Sequence, residues 1–373
     1  MRFIQRAAVL TVAAIALSAP TTGAAGTTAA AGTTAAASPA AAAAASQPAA
    51  VPRITATILV GNFPEGIAAN PRTGLVYVAN SGDGTFSVIR GRTNKVTATI
   101  PVTTAPQSPS EAAVNPRTNT LYLTDPFGLT VSVISGRTRK VKATIPIPTY
   151  PLAIAVNRRT NRIYVTTNGD KVKVISGRTN KVTATIPMPV NTFPTAVAVN
   201  PRTNTVYVTN NGSGNGTVSV IRGRTNKVTA TIPVGSDPSG VAVDPRTNTV
   251  YVTNYNDDTV SVISGRTRKV TATIEVGTGP LGVAADQRTN TIYVANYAGW
   301  SVSVISGRTK AVLATLRTGN VTFPDQVAVN PRTGAVYVTD NYSEGGFRGT
   351  VSVITSGRRR MKATVTMRAS AVA

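Results

Sequence analysis

The chain contains no histidine, no cysteine and a single tryptophan, Trp300. Without histidine it lacks the commonest general base and the imidazole ligand of zinc, so a Ser-His or Cys-His catalytic couple is excluded. Without cysteine it has no thiol catalysis, thiolate metal site, disulfide bond or lipid-modified cysteine anchor. Carboxylates remain for acid–base or hard-cation chemistry, and they are few, with 14 Asp and Glu against 38 Lys and Arg.

One repeated segment makes up most of the chain. Each copy has a tyrosine at the same place, and successive tyrosines are 45, 42, 43, 44, 42 and 44 residues apart. They are Tyr77, Tyr122, Tyr164, Tyr207, Tyr251, Tyr293 and Tyr337. A period of this length is typical of four-stranded propeller blades. The sequence therefore predicts an all-β, seven-bladed β-propeller with four antiparallel strands per blade.

Four strand-like segments, separated by turn residues, can be recognised within one copy. The first is a short apolar run that ends at a proline-containing turn, and the second alternates β-branched and aromatic residues. The third ends at a Gly-Arg turn, and the fourth has one polar side, as expected for an outer edge in contact with water. In the fifth copy the segments are 240–244, 249–253, 259–263 and 270–274.

Eight segments of the sequence match the pattern of the fourth strand, whereas each of the other three strands has seven copies. The earliest candidate is 54–60, and the latest is 362–367. We expect the N-terminal candidate to complete the last blade, which is built from residues 325–354, so that the N- and C-terminal segments pair and close the ring. The C-terminal candidate is then either a fifth outer strand or a tail.

Composition divides the chain into four parts. A basic start followed by a short apolar stretch predicts a signal peptide over residues 1–25. Residues 26–52 are rich in Ala and Thr and are expected to form a disordered tether. The propeller is expected over 53–367 and a tail over 368–373. No second hydrophobic span is present, so we expect a protein without a transmembrane segment, secreted or held at the cell surface.

The basic residues concentrate in one kind of turn. In an antiparallel blade, the turns between strands one and two and between strands three and four lie at the same end. By this assignment 27 of the 38 basic residues fall at that end, and 11 of the 14 acidic residues fall at the other. One face of the disc is therefore expected to be cationic and to attract anionic polymers. The alternative is a solubilising charge that was copied with the repeat.

The expected contacts to such a polymer are one or two arginines from the turns of each blade. They are Arg72, Arg92, Arg117, Arg137, Arg178, Arg202, Arg224, Arg246, Arg266, Arg288, Arg308 and Arg332. The expected partners are cell-wall polymers, acidic polysaccharides or nonspecific nucleic acid. Sequence-specific recognition of single strands is disfavoured, since these turns supply no aromatic residues on which bases can stack.

The opposite face has a second candidate site, at the mouth of the central channel. The residues after each connector proline are expected there, and four of them are acidic: Glu65, Glu111, Asp237 and Asp325. Carboxylates around a channel can hold calcium through oxygen ligands, and acidic residues at such a position can also be merely solvated. No other cofactor is expected.

Residues 207–210 and 251–254 both read Tyr-Val-Thr-Asn, each after an Asn-Pro-Arg-Thr or Asp-Pro-Arg-Thr turn. These motifs closely resemble the YVTN-repeat β-propeller family of secreted and surface-layer proteins, over about residues 53–367. Asp125, Thr167 and Asp340 replace the final asparagine in three copies. The resemblance implies a seven-bladed propeller outside the cytoplasm and no common catalytic activity.

Related propellers include lactonases and streptogramin lyases. The resemblance implies that the lyases depend on a histidine, and this chain has none, which disfavours that activity here. Lactonase-like propellers instead bind a divalent ion through acidic and amide ligands. We therefore expect a noncatalytic binding or surface-association module that contacts anionic polymers. Two alternatives stay open: a divalent-cation-assisted, lactonase-like hydrolase at the channel mouth, and a structural scaffold at the cell surface that binds other proteins.

Overall fold

The structure is a computed structural model that describes residues 51–102, 108–212, 216–319, 322–341 and 348–356. The predicted signal peptide at 1–25, most of the predicted tether, the strand candidate at 362–367 and the tail at 368–373 lie outside the described residues. No helix in the described part of the chain has the length and apolar content that a membrane span requires.

The described residues form seven antiparallel sheets of four strands, which confirms the predicted blades. The first strand, β1 (Pro52–Asn62), belongs to the last blade. Blade 1 is β2 (Pro64–Asn70), β3 (Leu75–Asn80), β4 (Thr85–Arg90) and β5 (Lys95–Pro101). Blade 2 is β6 (Ala112–Asn115), β7 (Thr120–Asp125), β8 (Thr130–Ser135) and β9 (Val141–Pro146), and blade 3 is β10 (Pro151–Asn157), β11 (Arg162–Thr167), β12 (Lys171–Ser176) and β13 (Lys181–Pro187).

The remaining blades repeat this order. Blade 4 is β14 (Pro194–Asn200), β15 (Thr205–Asn210), β16 (Thr217–Arg222) and β17 (Lys227–Pro233), and blade 5 is β18 (Pro238–Asp244), β19 (Thr249–Asn254), β20 (Thr259–Ser264) and β21 (Lys269–Glu275). Blade 6 is β22 (Pro280–Asp286), β23 (Thr291–Asn296), β24 (Ser301–Ser306) and β25 (Val312–Arg317). Blade 7 is β26 (Pro324–Asn330), β27 (Ala335–Asp340), β28 (Arg348–Ser356) and β1.

The apolar core lies between neighbouring blades. Tyr207 of blade 4 packs with Val250, Val252 and Ile263 of blade 5, and all four side chains are buried. The two middle strands of a blade are covered by neighbours on both sides, which explains their small or β-branched residues on both faces. The outer strand β5 instead alternates exposed and half-buried residues, as expected for an edge with one side in water.

The threonine that follows the repeated tyrosine by two positions links blades 2, 3, 5 and 7 to their own inner segments and to the next blade. Thr253 Oγ1 accepts a hydrogen bond from the Gly240 N–H at 2.8 Å and donates to the Leu281 carbonyl of blade 6 at 2.6 Å. Thr339 makes the same link across the closure, donating to the Glu65 carbonyl of blade 1 at 2.9 Å. These contacts satisfy backbone groups that the inner strands bury.

The asparagine that ends the motif binds the third strand of its own blade. Asn254 Nδ2 donates to Thr259 Oγ1 and Ser261 Oγ, both at 2.9 Å, beneath the turn on the connector side. The same pair of donations occurs at three further asparagines: Asn80, Asn210 and Asn296. The motif therefore has a structural role that accounts for its repetition.

In blade 7 an aspartate replaces this asparagine. Asp340 Oδ2 accepts hydrogen bonds from Ser352 Oγ at 2.7 Å and from Thr350 Oγ1 at 3.3 Å. Its side chain is fully buried. Burial raises the pKa of Asp340 to about 7, although the hydrogen bonds from Ser352 and Thr350 lower it.

The ring is closed by the N-terminal strand, as the sequence predicts. β1 pairs antiparallel with β28, and the register sets Ile54 opposite Ile354 and Ile58 opposite Val351. Ile58 is buried in the cluster formed by blades 1 and 7, whereas its neighbour Leu59 is exposed. One antiparallel pairing thus joins segments almost 300 residues apart.

The strand registers confirm that the two kinds of turn lie at opposite ends of the blade. In blade 3, Arg162 of β11 lies opposite Ser176, and Ser176 lies opposite Lys181 at the start of β13. At the other end Thr167 lies opposite Lys171 of β12. We call the end with the Arg-bearing turns the basic face and the end with the connectors the connector face.

Candidate anion-binding face

The first turn of a blade is held by the asparagine or, in blades 5 and 6, the aspartate that ends the inner strand. In blade 4, Asn200 Oδ1 accepts the N–H of Arg202 at 3.0 Å, which fixes the turn after the inner strand. Asn204 has a φ of 54°, a left-handed conformation that asparagine tolerates better than most residues. Asn200 Nδ2 then donates to Asn248 Oδ1 of blade 5 at 2.7 Å.

This amide pair recurs between other neighbouring blades. Asn70 Nδ2 donates to Asn119 Oδ1 at 2.8 Å, and two further pairs have a separation of 2.7 Å: Asn115 with Asn161 and Asn157 with Asn204. Because these pairs tie the turns of blades 1 to 5 in series, the arginines beside the asparagines repeat at regular positions over this part of the basic face.

Several arginines of these turns reach the neighbouring blade. Arg246 Nη1 donates to the Gln287 carbonyl at 2.7 Å, and Arg332 Nη1 donates to the Arg72 carbonyl at 2.9 Å. A guanidinium has five N–H donors, so a single bond to a carbonyl holds the side chain in place and leaves it able to bind an oxyanion. Arg246 and Arg332 therefore combine a structural contact with an exposed charge.

All twelve arginines predicted to contact a polymer are exposed. Within the described residues a single ion pair is formed, in which Arg288 Nη2 lies 3.8 Å from Asp286 Oδ2. The positive charge of the basic face is therefore mostly uncompensated by neighbouring carboxylates. Such a surface produces a strong positive potential that falls off over about 8–10 Å at moderate salt.

The acidic residues of the connector face bind backbone N–H groups. Asp170 Oδ2 accepts the Asn191 N–H at 2.8 Å, and its other oxygen accepts the Phe193 N–H at 2.9 Å. Asp83 and Asp257 likewise accept connector N–H groups, at 2.7 and 2.8 Å. Much of the acidic charge at this end therefore has a structural explanation.

Each of the four predicted metal-binding carboxylates accepts a hydrogen bond from a polar side chain. Glu65 Oε1 accepts from Ser81 Oγ at 3.0 Å, and Asp325 Oδ2 accepts from Asn341 Nδ2 at 3.1 Å. Each of these bonds lies within the carboxylate's own blade. The pairs do not by themselves bring the carboxylates together around one point.

The other two carboxylates have amide partners as well. Glu111 Oε1 of blade 2 accepts from Gln326 Nε2 of blade 7 at 3.1 Å, and Asp237 Oδ1 accepts from Asn211 Nδ2. Within the described residues no three acidic side chains form a group that could hold a metal ion. A divalent ion at this mouth would therefore need ligands beyond a preformed acidic cluster.

Aromatic residues of the connectors and of the turns between strands two and three pack against one another on the connector face. Phe323 lies 5.0 Å from Tyr297 and 6.3 Å from Trp300, measured between ring centroids. Tyr150 packs edge-on against Phe127 at 5.8 Å. Phe63 and Phe193, which directly precede the inner strands of blades 1 and 4, are exposed.

A cleft on the basic face brings together arginines that the polymer-binding prediction largely omits. It has a volume of about 560 Å³ and lies where blades 3, 4 and 5 meet. Arg159, Arg222, Arg224 and Arg268 line it, and only Arg224 is in the predicted set. The repeat itself indicates these residues. Most other copies have serine at the position of Arg222, and several have asparagine at the position of Arg268.

These observations define a class of protein: a closed seven-bladed β-propeller with an arginine-rich face. Residues 159–276, about a third of the chain, match the family model described as "Lactonase, 7-bladed beta-propeller". Among solved structures, a chain of Kuenenia stuttgartiensis hydrazine synthase is similar, with a TM-score of 0.69 and 19% identity. The match covers 80% of this chain and 96% of that chain and shows a shared fold. A comparison with curated proteins gave no match.

Proposed function

We propose that this chain is a secreted, noncatalytic propeller that binds anionic polymers through its basic face. The segregation of charge carries the proposal: exposed arginines repeat around one face, and the described residues contribute one ion pair to offset them. A polymer with regularly spaced charges can contact several blades at once, whereas a small ligand contacts one or two. Each neutralised charge releases condensed counterions, which makes such binding strong at low salt.

The place of action follows from other parts of the sequence. The predicted signal peptide at 1–25 and the resemblance to YVTN-repeat propellers support a location outside the cytoplasm. Phosphate-containing cell-wall polymers, acidic polysaccharides and released nucleic acid are anionic polymers found there. A propeller held near the cell surface would attach such a polymer to the cell.

Binding of the purified full chain to immobilised polyanions across a salt series tests the proposal. Replacing Arg92, Arg137, Arg178 and Arg224 with glutamine removes four charges from exposed turns. We expect the slope of log affinity against log salt concentration to fall by about 3 to 4, since each lost phosphate contact lowers it by about 1.

A matched control keeps the overall charge equal. Lys171→Glu with Arg317→Glu also lowers the net charge by four, at exposed positions on the connector face. This variant should bind as the unmodified chain does, and equal loss in both variants would contradict a role of the basic face. Binding to a neutral glucan as strong as to the polyanions would also contradict it. Absence of binding to every polymer favours the scaffold alternative, in which the partner is a protein.

A second candidate function is divalent-cation-assisted hydrolysis of a lactone at the channel mouth. The match of residues 159–276 to the lactonase family model favours it, and Asp237 lies within the matched part. Calcium should then raise the melting temperature of the full chain. Amide substitution of Glu65, Glu111, Asp237 and Asp325 should abolish that rise. An unchanged melting temperature with calcium would leave this candidate without support.

A further inference from the structure

The basic face has a local centre. The third strand of a blade ends in Ser-Gly-Arg in blades 2, 3, 5 and 6, but in Arg-Gly-Arg in blades 1 and 4. In blade 4 this change adds Arg222 next to Arg224. The residue directly before the lysine that begins the fourth strand is asparagine in blades 1, 3 and 4. In blade 5 it is Arg268.

These two departures from the repeat meet in space. Arg222 and Arg224 of blade 4 line one cleft together with Arg159 of blade 3 and Arg268 of blade 5. All four side chains are exposed to solvent. No acidic residue is among the residues that line this cleft. We call it the four-arginine cleft.

Two of the four guanidiniums are fixed by the backbone of blade 4. Arg159 Nη1 donates to the Arg202 carbonyl, and Arg268 Nη1 donates to the Thr229 carbonyl, both at 3.3 Å. The turn between Arg222 and Arg224 is held from blade 3, because Arg162 Nη1 donates to the Gly223 carbonyl at 2.7 Å. The charges therefore approach one another on a supported surface, and little ordering is needed when a ligand binds.

The donors of the cleft suit an oxyanion with several oxygens. Four guanidiniums supply forked pairs of N–H groups, and the Thr205 hydroxyl, which accepts from Thr203 Oγ1, can add a donor at the lining. A carboxylate presents two oxygens in one plane, whereas a phosphate or sulfate group presents oxygens in several directions. Four like charges also repel one another unless a multiply charged ligand lies between them.

We propose that the four-arginine cleft is the seat on the basic face for phosphate or sulfate groups of the polymer. This inference rests on the proposed function, and it names the substrate class: phosphorylated or sulfated polymers are preferred over those charged by carboxylates alone. The remaining arginines of the basic face supply the less selective attraction that holds the rest of the polymer.

The repeat contains a second set of the same four positions. Arg90 and Arg92 of blade 1, Arg139 of blade 2 and Arg332 of blade 7 correspond to the residues of the four-arginine cleft. Arg332 is fixed as Arg159 is, through its donation to the Arg72 carbonyl at 2.9 Å. Since blades 1 and 4 are three blades apart in a ring of seven, a polymer in contact with both sets crosses the basic face.

The test uses the full chain with tripolyphosphate as probe at moderate salt. Arg222→Ser with Arg268→Asn, combined with Arg90→Ser and Arg139→Asn in the second set, introduces residues that other blades carry at these positions, so the fold should be retained, and an unchanged melting temperature verifies it. A control variant with Arg137→Gln, Arg178→Gln, Arg266→Gln and Arg308→Gln removes the same charge from exposed basic-face positions outside both sets. We expect the first variant to lose about 10- to 100-fold in affinity and the second to lose less than about threefold.

The outcomes separate the two proposals. Equal losses in both variants would overturn the four-arginine cleft and leave the binding function of the basic face intact. Absence of polyanion binding by the unmodified chain would overturn both. Oligomers of equal charge, one sulfated and one carboxylated, distinguish the chemistry. Sulfated and phosphorylated probes should both lose affinity in the first variant, and an equal loss for the carboxylated oligomer would contradict the preference for tetrahedral groups.

Discussion

Asn200 Nδ2 and Asn248 Oδ1 lie 2.7 Å apart and connect the turns of blades 4 and 5 on the basic face. The corresponding link is missing between blades 7 and 1. There Asn330 Nδ2 is buried without a partner among the described residues, because Gly74 stands where blade 5 has Asn248. The series of amide pairs therefore runs from blade 1 to blade 5 and is open here, as it is after blades 5 and 6, where Asp244 and Asp286 stand in place of the donor asparagine.

Replacing Gly74 with asparagine should close this gap. Gly74 has a φ of 74°, near the 52–55° of the corresponding asparagines, and a Cβ there would meet nothing within 4 Å. The new Oδ1 can accept from Asn330 Nδ2, so we expect a gain of about 1 kcal/mol and a melting temperature about 2–4 °C higher. Gly74→Ala is the control, since alanine at this φ is strained and has no amide. Equal melting temperatures of the two variants would contradict the prediction.

Asp340 should make stability depend on pH. Its pKa in the folded chain, about 7, exceeds the ordinary value of 3.8, so the folded state binds the proton more tightly than the unfolded state. The associated stability is fully present below pH about 4 and is lost as pH rises to about 7.

Substituting Asp340 with asparagine tests this dependence. The amide can donate to Thr350 and Ser352 as Asn254 donates to its own partners, and it does not ionise. The variant should be more stable than the unmodified chain at pH about 8, by a few kcal/mol, and the difference should shrink toward pH about 4. Thermal melts across this range measure it. The two chains have every other carboxylate in common. A stability difference that stays constant with pH would therefore exclude the titration of Asp340 as the cause of the pH dependence.

The architecture could be predicted because it depends on local patterns. Tyr77 and its six equivalents predict the number of blades by their spacing. Because successive strands run antiparallel, alternate turns must lie at opposite ends of the blade, so every turn could be placed on one face or the other. The closure by residues 54–60 followed from counting strands. The structure extends that strand to Pro52–Asn62 and shows its partner, β28.

The site was harder to predict, because it depends on contacts between distant residues. Glu111 and Gln326 belong to blades 2 and 7 and meet at the mouth, which no local pattern indicates. The convergence of Arg159, Arg222 and Arg268 needs the order of blades and the length of each side chain. A strict repeat also hides such a site, since the informative residues are those that depart from it.

The threonine between blades 5 and 6 should contribute measurably to stability. Thr253→Val keeps the shape of the side chain but removes the acceptor for Gly240 N–H and the donor to the Leu281 carbonyl. Two backbone groups in a buried region then lose their partner, which should cost about 2–4 kcal/mol. The chain should still fold, since Ala79 and Ala295 occupy this position in blades 1 and 6.

The control for this substitution is Thr273→Val, on the exposed side of β21. It should change the melting temperature little, because the side chain remains in contact with water. A similar effect at both positions would mean that the link from Thr253 to blade 6 adds nothing beyond the general cost of losing a hydroxyl.

Two neighbouring residues of β1 test how the ring is closed. Ile58 is 6% exposed and packs in the cluster shared by blades 1 and 7, whereas Leu59 is 61% exposed. Ile58→Ala should therefore destabilise the chain by about 2–4 kcal/mol, and Leu59→Ala by less than about 0.5 kcal/mol, as thermal melts can measure. Both variants remove apolar atoms from the same strand, so a difference between them reports burial in the cluster between blades 7 and 1. Equal, small effects would mean that β1 does not hold the ring closed and that another segment takes its place.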